Sequence, residues 1–131
     1  MGEGFKDLET WKKSYRLAIK IYKITQIFPR NEQYGLVSQM RRAAISVSGN
    51  IAEGYERQYR KEYIQFLMIA KGSLAELETY LLFSRDLGYL TEDGYKEIEL
   101  NRQELGLLMR SLIGSLRERP NDPTSVCAHR P

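Results

Sequence analysis

Protein chemistry needs a nucleophile beside a base, a set of metal ligands, or cations and rings that can hold an anion. The chain has one cysteine and one histidine, Cys127 and His129, two positions apart near its C-terminal end. Zinc takes four protein ligands, or three and a water, so this pair is too small a set. Glu53, Glu62, Glu76 and Glu78 could supply acids, but no imidazole stands beside them. Carboxylate di-metal centres in helical bundles pair inward glutamates with Glu-x-x-His, and that pattern is missing. A serine or cysteine nucleophile lacks its base for the same reason. Gly49 to Gly54 has the outline of a phosphate loop, yet no Gly-Lys-Ser/Thr follows and the stretch lies in a helix-like pattern. Catalysis, a cofactor and a bound metal are therefore not expected.

Binding chemistry is better represented. The stretch from Gly54 to Tyr63 interleaves Tyr55, Tyr59 and Tyr63 with Arg57, Arg60 and Lys61. Splayed bases stack on aromatic rings while Arg and Lys hold phosphates, so this composition suits single-stranded or looped RNA. The same residues also read as core-edge tyrosines with charges that solvate a turn. Arg41 and Arg42 pose a similar choice between phosphate contact and ion pairs to Glu53, Glu76 or a neighbouring subunit. The net charge is only +3, but residues 1–70 hold 12 basic and 7 acidic groups, and residues 71–131 hold 8 and 10. Between Lys12 and Arg30 there are six basic residues and no acid, including Lys13, Arg16, Lys20 and Lys23. Such asymmetry points either to an anionic partner or to a solvated basic helix face.

Four helices are expected to carry these groups. The first runs from about Asp7 to Phe28, where Pro29 ends it. It holds two apolar stripes at helical spacing: Leu8, Trp11, Tyr15, Ala18 and Tyr22, and beside them Leu17, Ile21, Ile24 and Phe28. A surface helix needs one such stripe, so the surplus predicts a contact with another subunit. The second helix spans Leu36 to Tyr55, with Leu36, Met40, Ala43, Val47 and Ile51 toward the core and Ile45 and Ala52 on the opposite side. Its many small residues allow another helix to approach closely. The third, Arg60 to Leu87, has a heptad-like seam of Tyr63, Leu67, Ala70, Leu74, Leu77 and Leu81 and stops at Gly88. The fourth starts near Thr91 and presents Ile98, Leu105, Leu108, Leu112 and Leu116 before fraying near Arg119.

Short connections predict sequential antiparallel neighbours. The expected fold is therefore all-α, an antiparallel up-down-up-down four-helix bundle over residues 1–119 with a disordered tail over 120–131. No apolar run approaches the length of a membrane span, no secretory signal pattern opens the chain, and a lone cysteine fits a reducing compartment. A cytoplasmic location is expected.

The segment Arg41-Arg42-Ala43-Ala44-Ile45-Ser46-Val47, then Asn50-Ile51-Ala52-Glu53-Gly54, carries a family resemblance. So do Arg60-Lys61-Glu62, Phe66-Leu67, Ala70, and Gly72-Ser73-Leu74-Ala75-Glu76-Leu77-Glu78-Thr79. The opening Phe5-Lys6-Asp7-Leu8-Glu9-Thr10-Trp11 and the Phe28-Pro29 junction add to it. Together they resemble the bacterial four-helix-bundle proteins encoded within intervening sequences of 23S rRNA genes. The likeness covers Phe5 to Leu90, thins over the fourth helix and is absent from the tail. Ser48-Gly49 departs from the family pattern, where Pro-Ser is common, so the bend of the second helix is not carried over. The resemblance implies a ring-forming homo-oligomer, typically a pentamer. It also points to a related branch that accompanies the reverse transcriptases of retroelements and binds nucleic acid through a basic surface.

The expected function is thus a non-catalytic, ring-forming nucleic-acid-binding protein, with RNA ahead of DNA. Its contacts would be Lys13, Arg16, Lys20, Lys23, Arg41, Arg42, Arg57, Arg60 and Lys61. Its subunit contacts would be Leu17, Ile21, Ile24, Phe28, Ile45 and Ala52. The alternative is an oligomeric structural or protein-partner module, such as an accessory scaffold for a reverse transcriptase.

Overall fold

The computed structural model describes residues 4–118; the expected tail and the boundary at residue 119 lie outside them, as do Cys127 and His129. A 3-10 turn, Gly4–Asp7, precedes α1 (Glu9–Thr25). A second, Arg30–Glu32, leads into α2 (Leu36–Tyr55), which is followed by α3 (Arg60–Asp86) and α4 (Glu92–Arg117). The described residues are all-helical, with no β-strand.

Helix ends follow local chemistry. α3 stops at Gly88, whose φ of +79° is easy for glycine alone. There Gly88 N donates to the Arg85 carbonyl (3.0 Å) and Tyr89 N to the Ser84 carbonyl (2.8 Å), a Schellman closure of the last turn. α4 starts at Thr91, whose Oγ1 accepts from Gly94 N at 3.0 Å, with Glu92 and Asp93 in its first turn. Tyr89 Oη then donates to Glu32 Oε2 (2.7 Å) while its ring packs on Phe28 (5.3 Å), tying the α1–α2 and α3–α4 connections together.

The helices pair α1 with α2, α2 with α3, α3 with α4 and α4 with α1, closing around one core. That core contains Met40, Ala43, Val47 and Ile51 of α2 and the whole α3 seam from Tyr63 to Leu81. Between α2 and α3, Gly54 meets Tyr63 and Phe66, Ser46 Oγ meets Ser73 Oγ (2.8 Å), Arg42 meets Glu76 and Ser84 Oγ meets Met40 Sδ.

Two parts of the core differ from expectation. Leu17 and Ile21 of α1 and Phe28 just beyond it are buried in the chain's own core and Ile24 is half-buried against it, so these four present little surface to the subunit contact expected of them. Of the other stripe only Tyr15 and Tyr22 are outward, joined by Ile19, while Ala18 is buried and Leu8 and Trp11 pack against the core. The physical reason is that Leu, Ile and Phe carry no polar atom, and each gains roughly 1.5–3 kcal/mol from burial. Tyr15 and Tyr22 keep their hydroxyls in water at little cost. On α4 the buried face contains Met109 and Ile113, while Leu108 and Leu112 are half-buried at its flank. Ile45 is exposed as expected and Ala52 is half-buried.

Candidate nucleic-acid interface

The nine basic candidates divide by what they touch. Lys20 Nζ donates to Asn101 Oδ1 (2.7 Å) and reaches Glu97 (3.4 Å), and Lys13 stands 3.8 Å from Glu104. Both therefore bridge α1 to α4. Arg42 pairs with Glu76 of α3 (3.0 Å), and this bond, against the cost of removing the guanidinium from water, holds its pKa above the ordinary arginine value. Arg57 pairs with Glu53 (2.6 Å) and lies over the Phe66 ring (4.7 Å), and Arg60 is buried. Arg41 donates from Nε to Thr25 Oγ1 (3.0 Å) and from Nη2 to the Tyr22 carbonyl (3.2 Å), so it fastens α2 to α1. Five of the nine are thus engaged by the fold, and a sixth, Arg60, is enclosed by it. The aromatic–basic stretch at the α2–α3 junction is largely a structural corner, where Tyr55 and Tyr63 meet edge to face (6.0 Å).

Arg16, Lys23 and Lys61 are exposed and make no ion pair among the described residues. Lys12, half-buried on α1, makes none either. Helical spacing puts Lys12, Arg16 and Lys23 along one side of α1, next to the outward Tyr15, Ile19 and Tyr22. α1 has no acid after Glu9, so this face is basic and aromatic without a competing carboxylate of its own helix.

Sequence reading missed a second group of cations. Lys71 and Arg110 flank a groove of about 390 Å³ between α3 and α4, floored by Leu74, Ala75 and Gly106. At its end Arg102 is clamped by Glu99 (2.7 Å) and Glu78 (3.2 Å). Lys71 and Arg110 make no ion pair among the described residues. They sit in a mixed charge background, which is why periodicity did not single them out. No group of three or more His, Cys, Asp or Glu among the described residues could hold a metal ion. No helix there is long and apolar enough to cross a membrane.

An all-helical four-helix protein with a basic, aromatic outer face is the class these features define. The particular family follows from comparison: residues 6–111 match the sequence profile of the 23S rRNA-intervening sequence proteins, and the chain belongs to that family. The chain is similar to a protein of unknown function from the S23 ribosomal protein family of Bacteroides thetaiotaomicron, known from its crystal structure. The two share 29% identity at a TM-score of 0.71, over 79% of this chain and 97% of that one. No curated protein matches.

Proposed function

We propose that this chain is a non-catalytic RNA-binding protein that works as a cytoplasmic homo-oligomer and holds RNA on the outer face of α1. The observation that carries the reading is the division of cations on that helix. Lys13 and Lys20 are met by acids of α4, while Lys12, Arg16 and Lys23 have no acidic partner among the described residues. Unpaired surface cations aligned on one helix attract phosphates without first giving up an internal ion pair. The family's name, with its tie to 23S rRNA, supports RNA ahead of DNA.

The bundle in this reading is the antiparallel up-down-up-down form. It is supported by the order of cross-helix partners, since Lys13 and Lys20 of α1 meet Glu104 and Glu97 of α4 in reverse sequence. Assembly into a ring, a pentamer in this proposal, draws support from apolar side chains left exposed on separate faces: Ile45 on α2, and Leu100 and Leu107 on α4.

Affinity for a structured RNA, a duplex DNA and heparin across a salt series tests the reading. The variant K12E/R16E/K23E is expected to lose RNA binding and to flatten the salt dependence by about two in log–log slope, as three lost phosphate contacts on a single strand require. K13E/K20E, which removes only groups already paired, is expected to weaken binding far less. Equal affinity of native and triple variant would remove α1 as the binding face.

A second reading is an oligomeric module for a protein partner. The groove between α3 and α4 favours it, because an apolar floor with Lys71 and Arg110 at its edge suits an acidic amphipathic helix better than a phosphate chain. A stable complex with such a partner that survives nuclease treatment would select this reading over the first.

A further inference from the structure

Tyr15 and Tyr22 lie outside the bundle's core, yet neither ring is loose. Tyr15 stacks on Trp11, with centroids 5.1 Å apart and planes 24° from parallel, and Trp11 in turn meets Phe5 edge-on at 5.1 Å. Tyr22 lies beneath the Arg41 guanidinium, 4.6 Å from its ring centroid, and Arg41 is itself fixed by Thr25 and the Tyr22 carbonyl. Each ring is braced from one side by its own chain, while 50% of Tyr15 and 37% of Tyr22 stay exposed. Neither hydroxyl has a hydrogen-bond partner among the described residues. Rings ordered in advance lose little rotamer freedom when something stacks on them, which removes part of the usual cost of binding.

We infer that this face takes unpaired nucleotides of a single strand, stacking one base on Tyr15 and another on Tyr22. Lys12, Arg16 and Lys23 hold the phosphates between them. The inference rests on the RNA-binding reading above and adds the form of the ligand. Two turns of helix separate the rings by about 10 Å, at ~1.5 Å per residue. That is roughly three times the ~3.4 Å rise between stacked bases, so the two bases cannot be neighbours in an intact stack. The strand must run extended along α1 with nucleotides skipped between the rings. A duplex offers no open base face, so it can use the three cations but not the rings. Ile19, 41% exposed and one turn from each tyrosine, gives an apolar bed for the intervening sugar or base. Because every base has a π-face, sequence preference should be weak.

Fluorescence titration with the full chain tests this directly, since its sole tryptophan, Trp11, lies under Tyr15 and reports stacking there. The probes are an oligouridine 20-mer, a DNA strand of matching pyrimidine sequence, and an RNA duplex of the same length. Single strands of either sugar are expected to bind at least tenfold tighter than duplex and to shift the tryptophan emission. Tyr15→Ala and Tyr22→Ala should each weaken single-strand binding roughly 5- to 150-fold, the range for one lost base stack, and leave duplex binding unchanged. Tyr15→Phe and Tyr22→Phe should retain affinity. Both rings lie outside the core, so circular dichroism melts of the variants are expected to match those of the native chain.

If the alanine variants bind single strands as the native chain does while K12E/R16E/K23E does not, the stacking inference falls and the basic-face reading stands. If the alanine variants lose self-association with RNA affinity intact, the rings belong to a subunit contact and the inference falls. If no probe binds at low salt, both readings fall.

Discussion

At the scale of single residues, the decisive question is which charges the chain uses on itself. Glu99 is buried on α4 and accepts from Arg102 Nε (2.8 Å) and Nη2 (2.7 Å) and from Gln103 Nε2 (3.1 Å). Burial alone would raise its carboxyl pKa, but the hydrogen bonds and charge of Arg102, with the Gln103 bond, hold it below the ordinary value. A group with a lowered folded pKa stabilises the fold fully above its unfolded value, near 4.3 for glutamate, and loses that contribution as pH falls through the folded value. Glu99→Gln keeps the shape but leaves Arg102 with Glu78 as its remaining carboxylate. The expected cost is about 1–3 kcal/mol at neutral pH, as for a buried charged donor that loses one acceptor. Thermal melts of native and variant should differ by a constant amount from pH 8 to 5 and converge below about pH 4. A gap that stays constant down to pH 3 would show that the carboxylate's charge is not what matters.

At the scale of elements, how close two helices come is set by the residues between them. Gly54 near the end of α2 is buried, and a Cβ there would stand 2.7 Å from Phe66 Cβ and 3.1 Å from Tyr63 Cδ1. Phe66 Cβ is attached directly to the α3 backbone and cannot swing away, so Gly54→Ala must push the helices apart. The overpacking cost, about 1–3 kcal/mol, exceeds the roughly 1 kcal/mol that alanine gains over glycine in a helix. Denaturant titration should therefore show a net loss of stability; a gain would mean that α3 yields freely at this point. Much of this layer was legible in the sequence. The α3 seam alternates steps of three and four, so a single face satisfies it, and Gly88 and Thr91 have one sensible role each. α1 was harder, because both its stripes are apolar at helical spacing and periodicity does not rank tyrosine against isoleucine. On α4, Leu108 and Leu112 follow the expected spacing as well as Met109 and Ile113 do, and only the positions of α1 and α3 select between them. The basic site was the least legible part. Lys20 and Glu97 are 77 residues apart, and nothing local tells a lysine paired across the bundle from Arg16 or Lys23 beside it.

At the scale of the whole molecule, the contrast between a basic first half and an acidic second half is partly resolved inside the fold. Lys13, Lys20 and Arg42 from the first half meet Glu104, Glu97 and Glu76 from the second. Exposed pairs of this kind are worth about 0–1 kcal/mol each, so they orient the helices more than they stabilise them. Cations left over on α1 then matter most if copies are joined, since several weak sites on one assembly act at high effective concentration. The exposed apolar side chains suggest how the joining would work. Leu100 and Leu107 lie two turns apart on α4, 55% and 63% exposed, while Ile45 lies on α2, 51% exposed and bordered by the small residues Gly49 and Ala52. α4 and α2 are not neighbours in the bundle, so a contact of α4 on one copy with α2 on the next is heterologous and propagates around a ring. Analytical ultracentrifugation of L100E/L107E and of I45E is expected to show monomers of 15.3 kDa with native helical content. Mixing the two variants restores one intact pair of faces and no more, so the mixture should form a dimer and stop there. A self-complementary contact through either patch alone would instead leave the variant that keeps that patch assembled by itself, before any mixing. Native-like assembly of L100E/L107E would take α4 out of the interface. For the dimeric mixture, RNA affinity should fall between those of monomer and native assembly, because two α1 faces are joined where the ring joins more.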